Sequence, residues 1–99
     1  MTRVFRLVPS SEDTEEHLWK HRLYIEDAYA VLDEGRYKVF PNKGYKDRVL
    51  LIGPDAANRL LTFVVSVPDN EGAARIITGR PATTGERTRF ERPGGTQHA

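Results

Sequence analysis

The chain has 99 residues, of which 38% are hydrophobic, and a formal net charge of +1. This size allows one domain with one modest core. It contains no cysteine, which excludes disulfides and thiolate chemistry and makes a cytoplasmic location the expectation for so small a domain. Neither an apolar run long enough to span a membrane nor the core of a signal peptide is present in the sequence.

The first half of the chain predicts one strand and two helices. Apolar and polar residues alternate over residues 3–8 until Pro9, a pattern typical of a short edge strand. Residues 10–16 are rich in hydroxyl and acidic side chains that stabilise a helix start, so a short helix is expected to follow. Apolar residues then recur at helical spacing over residues 25–32, which predicts a second helix that ends at Gly35.

Four strands are predicted in the second half of the chain. Residues 36–40 alternate between apolar and polar side chains before a Pro-Asn-Lys-Gly turn. β-Branched and aromatic residues over 49–52 and 60–67 predict two further strands, and residues 73–78 predict the last one. Their composition favours a sheet that is covered on one side by the helices.

A short helix, capped by Thr83 or Thr84, is expected to close the domain and to end at Phe90. The element order β-α-α-β-β-β-α predicts an α+β fold, with three to five strands in an antiparallel meander and two helices on one face. We expect this single domain to span residues 1–92. Residues 93–99 have no apolar anchor and are expected to form a disordered tail.

Charged residues are segregated along the chain. Residues 1–34 carry eight acidic and four basic side chains, whereas residues 36–48 carry five basic side chains and one aspartate. Residues 73–92 carry five arginines and two glutamates. Two basic segments after an acidic start favour nucleic-acid contact on one surface and a different partner on another.

Short motifs on this element order resemble those of the BrnT-like toxins, which belong to the RelE-type group of bacterial toxin–antitoxin ribonucleases. The similarity runs from about His17 to Phe90 and rests on three motifs: Lys20-His21 before the helix of Ile25-Glu26-Asp27-Ala28, the ending Gly79-Arg80-Pro81-Ala82, and Glu86-Arg87. The chain departs from the family pattern at the end of the first strand, where Pro9-Ser10 replaces a Trp-Asp pair. Arg22 stands where the family has glycine, and Tyr24 where it has a helix-opening serine.

The resemblance implies a small RelE-like fold and a metal-independent endoribonuclease that acts on mRNA and inhibits translation and growth. In such cleavage a ribose 2′-hydroxyl attacks the neighbouring phosphate, which requires a base, an acid and cationic donors. By similarity, the catalytic residues would be Lys20, His21, Arg59 and Arg80. The basic segments add Arg87, Arg89, Lys43 and Lys46 as predicted RNA contacts. No cofactor or metal is expected.

The same resemblance implies two partners, the RNA substrate and a cognate antitoxin, expected to be a ribbon-helix-helix DNA-binding protein. A homodimer or a toxin–antitoxin hetero-oligomer is compatible with this interpretation. The alternative is a non-catalytic module that keeps the fold and binds a protein through its sheet edge or its acidic amino-terminal region. A self-associating structural subunit is a third interpretation.

Each candidate residue also has a purely structural interpretation. Lys20 suits an exposed cation at a helix end, Arg80 suits an ion pair with Glu86 or Glu91, and Arg59 suits a solvated turn. His17 and His21 have the spacing of two metal ligands, but no third ligand is evident nearby. Trp19 is more typical of a core or interface anchor than of a base-stacking platform.

Overall fold

Residues 4, 6–9, 13–92 and 96–97 of the protein are described in a computed structural model. They form, in chain order, β1 (Arg6–Pro9), α1 (Thr14–Trp19), α2 (Ile25–Glu34), β2 (Lys38–Asn42), β3 (Tyr45–Pro54), β4 (Leu60–Ser66), β5 (Ala73–Pro81), α3 (Thr84–Glu91) and β6 (Thr96–Gln97). This combination of three helices with one sheet confirms the predicted α+β class.

The strands form a single sheet in the order β1-β5-β4-β3-β2-β6. Strands β2 to β5 are consecutive antiparallel neighbours, as the predicted meander requires. The first strand instead runs parallel to β5 at the sheet edge, so the sheet is mixed. The structure has four strands between α2 and α3, which agrees with the four strands predicted from their separate segments, although the predicted element order counts three. The turn at Lys43 and Gly44 joins β2 and β3 in a hairpin.

The carboxyl-terminal segment contributes a last short strand. Thr96 and Gln97 pair with Val39 and Lys38 of β2, whereas the sequence predicts a disordered tail there. Backbone hydrogen bonding does not require apolar side chains, so a segment without an apolar anchor can still extend a sheet edge. The rest of the predicted tail, residues 93–95 and 98–99, lies outside the described part of the chain.

Helices α1 and α2 pack on one face of the sheet and form the main core with it. Alternation along β4 directs Leu61, Phe63 and Val65 to that face, where they belong to one buried cluster with Leu18 of α1 and Val31 of α2. Each fully buried side chain of this kind stabilises the fold by about 1.5–3 kcal/mol relative to its exposed state. This cluster therefore fixes both helices against the sheet.

Helix α3 lies across the opposite face and covers a smaller core. Buried apolar residues of β2, β3 and β4 pack against Phe90, but no residue of α3 itself is fully buried. Polar contacts at its last turn therefore contribute to its position. Lys38 Nζ donates to the Phe90 carbonyl at 2.5 Å, and the Arg89 guanidinium donates to the Pro41 carbonyl at 3.3 Å. A cation beside the last carbonyls also complements the helix dipole.

Gly79 allows α1 to approach β5 closely. A Cβ atom at this position would lie 3.0 Å from Leu18 Cδ2 and closer still to the ring of Phe63. Both neighbours are completely buried, so neither can move without disturbing the core. The side chains of Leu18 and Phe63 consequently fill the space over Gly79, where β5 has no side chain.

We expect Gly79→Ala to lower the free energy of unfolding by about 1–3 kcal/mol, because the added methyl group overpacks a dense core. Gly85→Ala is the matched control. A Cβ there has Thr83 Oγ1 at 4.0 Å as its nearest neighbour, and alanine is favoured over glycine in a helix by up to about 1 kcal/mol. Urea denaturation of both variants measures the difference. Equal stabilities would contradict the close packing over Gly79.

Candidate functional site

Arg59 follows the β3–β4 turn and binds two carboxylates. Its Nε donates to Asp55 Oδ2 at 2.8 Å, and its Nη2 donates to Asp27 Oδ1 in the first turn of α2 at 2.8 Å. Asp55 is buried, and its other oxygen accepts the backbone N–H groups of Ala57 and Arg59 at 3.0 Å and 2.9 Å. Arg59 thus joins the turn to α2, which is a different role from the solvated turn residue considered in the sequence.

These contacts shift the pKa values of both groups in the turn. Burial alone would raise the pKa of Asp55, but hydrogen bonds from the Arg59 backbone and guanidinium, together with its positive charge, outweigh burial, and the pKa is lowered. The pKa of Arg59 is raised, chiefly by its hydrogen bond to Asp55. Arg59 therefore carries a fixed charge, most of which its two carboxylate partners neutralise.

Arg80 lies on the face of the sheet that α3 covers. It pairs with Thr62 of β4 in the sheet register, and its guanidinium donates to the carboxylate of Glu86. The other oxygen of Glu86 accepts the backbone N–H of Thr83 at 2.9 Å, while Thr83 Oγ1 accepts the N–H of Glu86 at 3.1 Å. Arg80 thus links the end of β5 to the capping box of α3. Its ion pair with Glu86 is the one that the structural interpretation of the sequence predicts.

Lys20 and His21 follow α1 and are both exposed. Within the described residues, neither side chain forms a hydrogen bond or an ion pair, so both are available to a ligand. Arg22, next in the chain, has a φ of 60°, in the left-handed region that glycine adopts most easily. Arg22 therefore has a backbone conformation typical of glycine.

The four predicted catalytic residues belong to elements on both faces of the sheet. Lys20 and His21 belong to the face that α1 covers, Arg80 to the opposite face, and Arg59 is tied to α2. Among the described residues, no hydrogen bond or ion pair joins any two of the four. Their assignment as catalytic residues stays a prediction.

A groove with a volume of about 560 Å³ lies in the β2–β3 hairpin. It arises from a register shift: Pro41 pairs with Val49, but Asn42 pairs with Tyr45, which leaves residues 46–48 without partners on β2. The groove is lined by nine residues: Val39, Phe40, Pro41, Asn42, Gly44, Tyr45, Lys46, Arg48 and Val49.

Cations dominate this hairpin groove. Lys46 and Arg48 line it, Lys43 occupies the turn, and Arg89 reaches it through its bond to the Pro41 carbonyl. Asp47 is the only carboxylate in residues 38–53. Three of the four predicted RNA contacts are therefore gathered here, whereas Arg87 is exposed on α3.

Two guanidinium groups in and beside the groove lie over aromatic rings. Arg48 Cζ lies 5.2 Å from the centroid of Tyr45, and Arg89 Cζ lies 4.7 Å from that of Phe40. Phe40 is buried, whereas Tyr45 is 54% exposed. The Nε atom of Arg48 is buried, has no hydrogen-bond partner among the described residues and lies 3.9 Å from Asp47 Oδ1. The sequence interpretation missed Tyr45 and Arg48, although an aromatic residue three positions before an arginine was a usable signal.

No group of three or more metal-ligating side chains occurs among the described residues. His17 and His21 are both exposed at the carboxyl-terminal end of α1 and its following turn. Across the same described part of the chain, no helix has the length and apolarity that crossing a membrane would need.

No protein-family model matches the chain, and a search of curated proteins gives no significant match. The resemblance to BrnT-like toxins therefore remains a prediction from short motifs.

We expect acidification to weaken the Arg59 junction. Because the pKa of Asp55 is lowered in the folded state, its contribution to stability is present above its ordinary pKa of 3.8 and is lost as the pH falls through the folded-state value. Asp55→Asn should lower the free energy of unfolding by about 1–3 kcal/mol at neutral pH. It should also flatten the decline in stability below about pH 4.

Urea denaturation across this pH range provides the measurement. Glu34→Gln is the control, because Glu34 is an exposed carboxylate 4.0 Å from Arg36 and should leave the pH profile nearly unchanged. Asp69, whose pKa is lowered chiefly by the N–H of Ala73, accounts for part of the decline in stability with falling pH that remains in the Asp55 variant. A variant at Asp55 with the wild-type profile would show that Arg59 is not held by this carboxylate.

Proposed function

We propose that the protein is an RNA-binding domain of the BrnT-like toxin type, and that it binds single-stranded RNA in the hairpin groove. The observation that carries the proposal is the half-exposed ring of Tyr45 beside Arg48, in a groove whose lining among the described residues includes no carboxylate. A base can stack on an exposed aromatic ring, and guanidinium and ammonium groups can bind the adjoining phosphates.

Single-stranded RNA fits this groove better than a duplex does. The bases of a single strand are free to stack on protein side chains, whereas a duplex buries its base faces. The groove lies between the strands of one hairpin, so only a few nucleotides can enter it. Arg89 extends the positive surface from the groove onto α3.

We expect Arg48→Ala to weaken the binding of labelled oligouridylate and to reduce the slope of log Kobs against log salt by about 0.7 for one lost phosphate contact. Tyr45→Ala should weaken binding by about 1–3 kcal/mol for one lost stacked base while leaving the salt slope nearly unchanged. Fluorescence anisotropy over a range of salt concentrations measures both quantities.

Arg36→Ala is the matched control for this experiment. Arg36 is an exposed cation outside the groove, bonded to Asn58 in the β3–β4 turn, and its removal should leave both affinity and slope close to wild type. Oligodeoxyuridylate and a duplex test the preference for single-stranded RNA. Equal losses at Arg36 and Arg48 would indicate nonspecific attraction and would refute the groove as the binding site.

A second candidate function is the endoribonuclease activity implied by the resemblance, with an antitoxin that neutralises it. The observation that favours it is the exposure of Lys20 and His21 without partners among the described residues. A base would remove the 2′-hydroxyl proton as the oxygen attacks phosphorus, and an acid would protonate the departing 5′ oxygen. His21 provides an imidazole, the side chain that most often serves as base or acid, and Lys20 can offset the charge that develops on the phosphate.

We expect the wild-type chain, expressed alone, to arrest growth and to leave RNA fragments with 2′,3′-cyclic phosphate ends. His21→Ala should lower the cleavage rate about 100- to 10,000-fold while leaving binding of oligouridylate unchanged. His17→Ala, one helical turn earlier on α1, is the control and should cleave normally. An inactive wild type, or an equal loss in both histidine variants, would exclude this function.

A further inference from the structure

The junction of α1 and α2 exposes two aromatic rings. Trp19 is 51% exposed and Tyr24 is 58% exposed, and their ring centroids lie 5.5 Å apart at an interplanar angle of 39°. Large aromatic side chains normally bury most of their area, and neighbouring rings on a surface commonly mark an interaction site. This aromatic pair is well separated in the sequence from the β2–β3 hairpin.

The two rings belong to a second groove, with a volume of about 390 Å³. Buried Leu23 lies at the junction, and three glutamates surround the rings: Glu15, Glu16 and Glu26. In the described residues none of these carboxylates forms a hydrogen bond or an ion pair. We name this surface, lined by Glu15, Glu16, Trp19, Leu23, Tyr24, Ile25 and Glu26, the acidic aromatic groove.

Helix stabilisation alone does not account for this groove. Glu15, Glu16 and Glu26 lie in the first turns of α1 and α2, where acidic side chains offset the helix dipole. That effect requires no aromatic residue. About half of the surface of Trp19 and of Tyr24 stays exposed in the monomer, and this area is available to stabilise a complex.

We propose that the acidic aromatic groove binds a basic segment of a partner protein, in which arginine or lysine side chains alternate with apolar residues. A partner cation would lie over the rings of Trp19 and Tyr24, where the surrounding glutamates neutralise it. An apolar neighbour would extend over Ile25, which is partly exposed in the groove. Arg22 already lies with its Cζ 5.6 Å from the Trp19 centroid, which is the geometry that a guanidinium adopts on an aromatic face.

Charge separates this groove from the proposed RNA surface. A polyanion is repelled by three carboxylates that lack a cationic partner among the described residues, whereas a basic segment is attracted to them. The hairpin groove has the opposite preference. The two proposals therefore rest on different residues and can fail independently.

Trp19 is the only tryptophan in the chain, so its fluorescence reports directly on the groove. The full chain is titrated with a peptide of alternating leucine and arginine, and with a control peptide in which glutamate replaces arginine. We expect a saturable change in Trp19 emission with the basic peptide only. Tyr24→Ala should weaken the binding about fivefold or more, and Glu15→Gln, Glu16→Gln and Glu26→Gln combined should remove most of it.

Two controls make the titration decisive. Combined Asp33→Asn and Glu34→Gln removes two exposed carboxylates of α2 that do not line the groove, and the affinity should stay within about twofold of wild type. Arg48→Ala should bind the peptide normally. Equal weakening by the control pair and by the groove glutamates would overturn the proposal, as would the absence of a saturable change.

Light scattering after size-exclusion chromatography tests a second copy of this chain as the occupant. We expect a monomer at the concentrations of the titration. A dimer that the three glutamine substitutions dissociate would assign the groove to self-association and would overturn the proposal of a separate basic partner. Circular dichroism of each variant confirms that the fold is retained.

Discussion

The close packing of Leu18 and Phe63 around Gly79 determines how α1 lies on the sheet. A side chain at position 79 would clash with Phe63 and press on Leu18, and α1 carries Trp19 and ends just before Lys20 and His21. Close packing therefore sets the orientation of the exposed aromatic pair and of the two predicted catalytic residues together. A buried apolar contact in this way positions polar groups that never touch the core.

The net charge is near zero, but the molecule has two surfaces of opposite charge. The acidic aromatic groove combines rings with carboxylates, whereas the hairpin groove combines rings with guanidinium and ammonium groups. Ion pairs neutralise much of the charge elsewhere, as at Arg59 with its two aspartates and at Arg80 with Glu86. Long-range attraction is consequently strongest at the grooves, where, among the described residues, the glutamates have no ion-pair partner and the cations have only Asp47, 3.9 Å from Arg48 Nε.

Features that depend on neighbouring residues could be predicted from the sequence, and features that depend on distant residues could not. The apolar spacing of α2 and the left-handed Gly35 that ends it are local, as is the Thr83 cap of α3. The contact of Arg59 with Asp27 crosses 32 positions, and no local pattern encodes it. The hairpin groove depends on a register shift between β2 and β3, and the alternation of apolar and polar residues does not determine where such a shift occurs. Local patterns also do not show on which face of the sheet a residue lies, and the four predicted catalytic residues are divided between the two faces.

The parallel pairing of β1 with β5 has a consequence for how the chain reaches its native state. Arg6 and Pro9 pair with Ala73 and Ile76, which lie 67 positions later in the sequence, and closing so long a loop is entropically costly. The antiparallel hairpins can form from nearby segments, but β1 can pair only after β5 has left the ribosome. Folds rich in such distant contacts assemble slowly, so newly made molecules expose the apolar side of the sheet before β1 and α1 cover it.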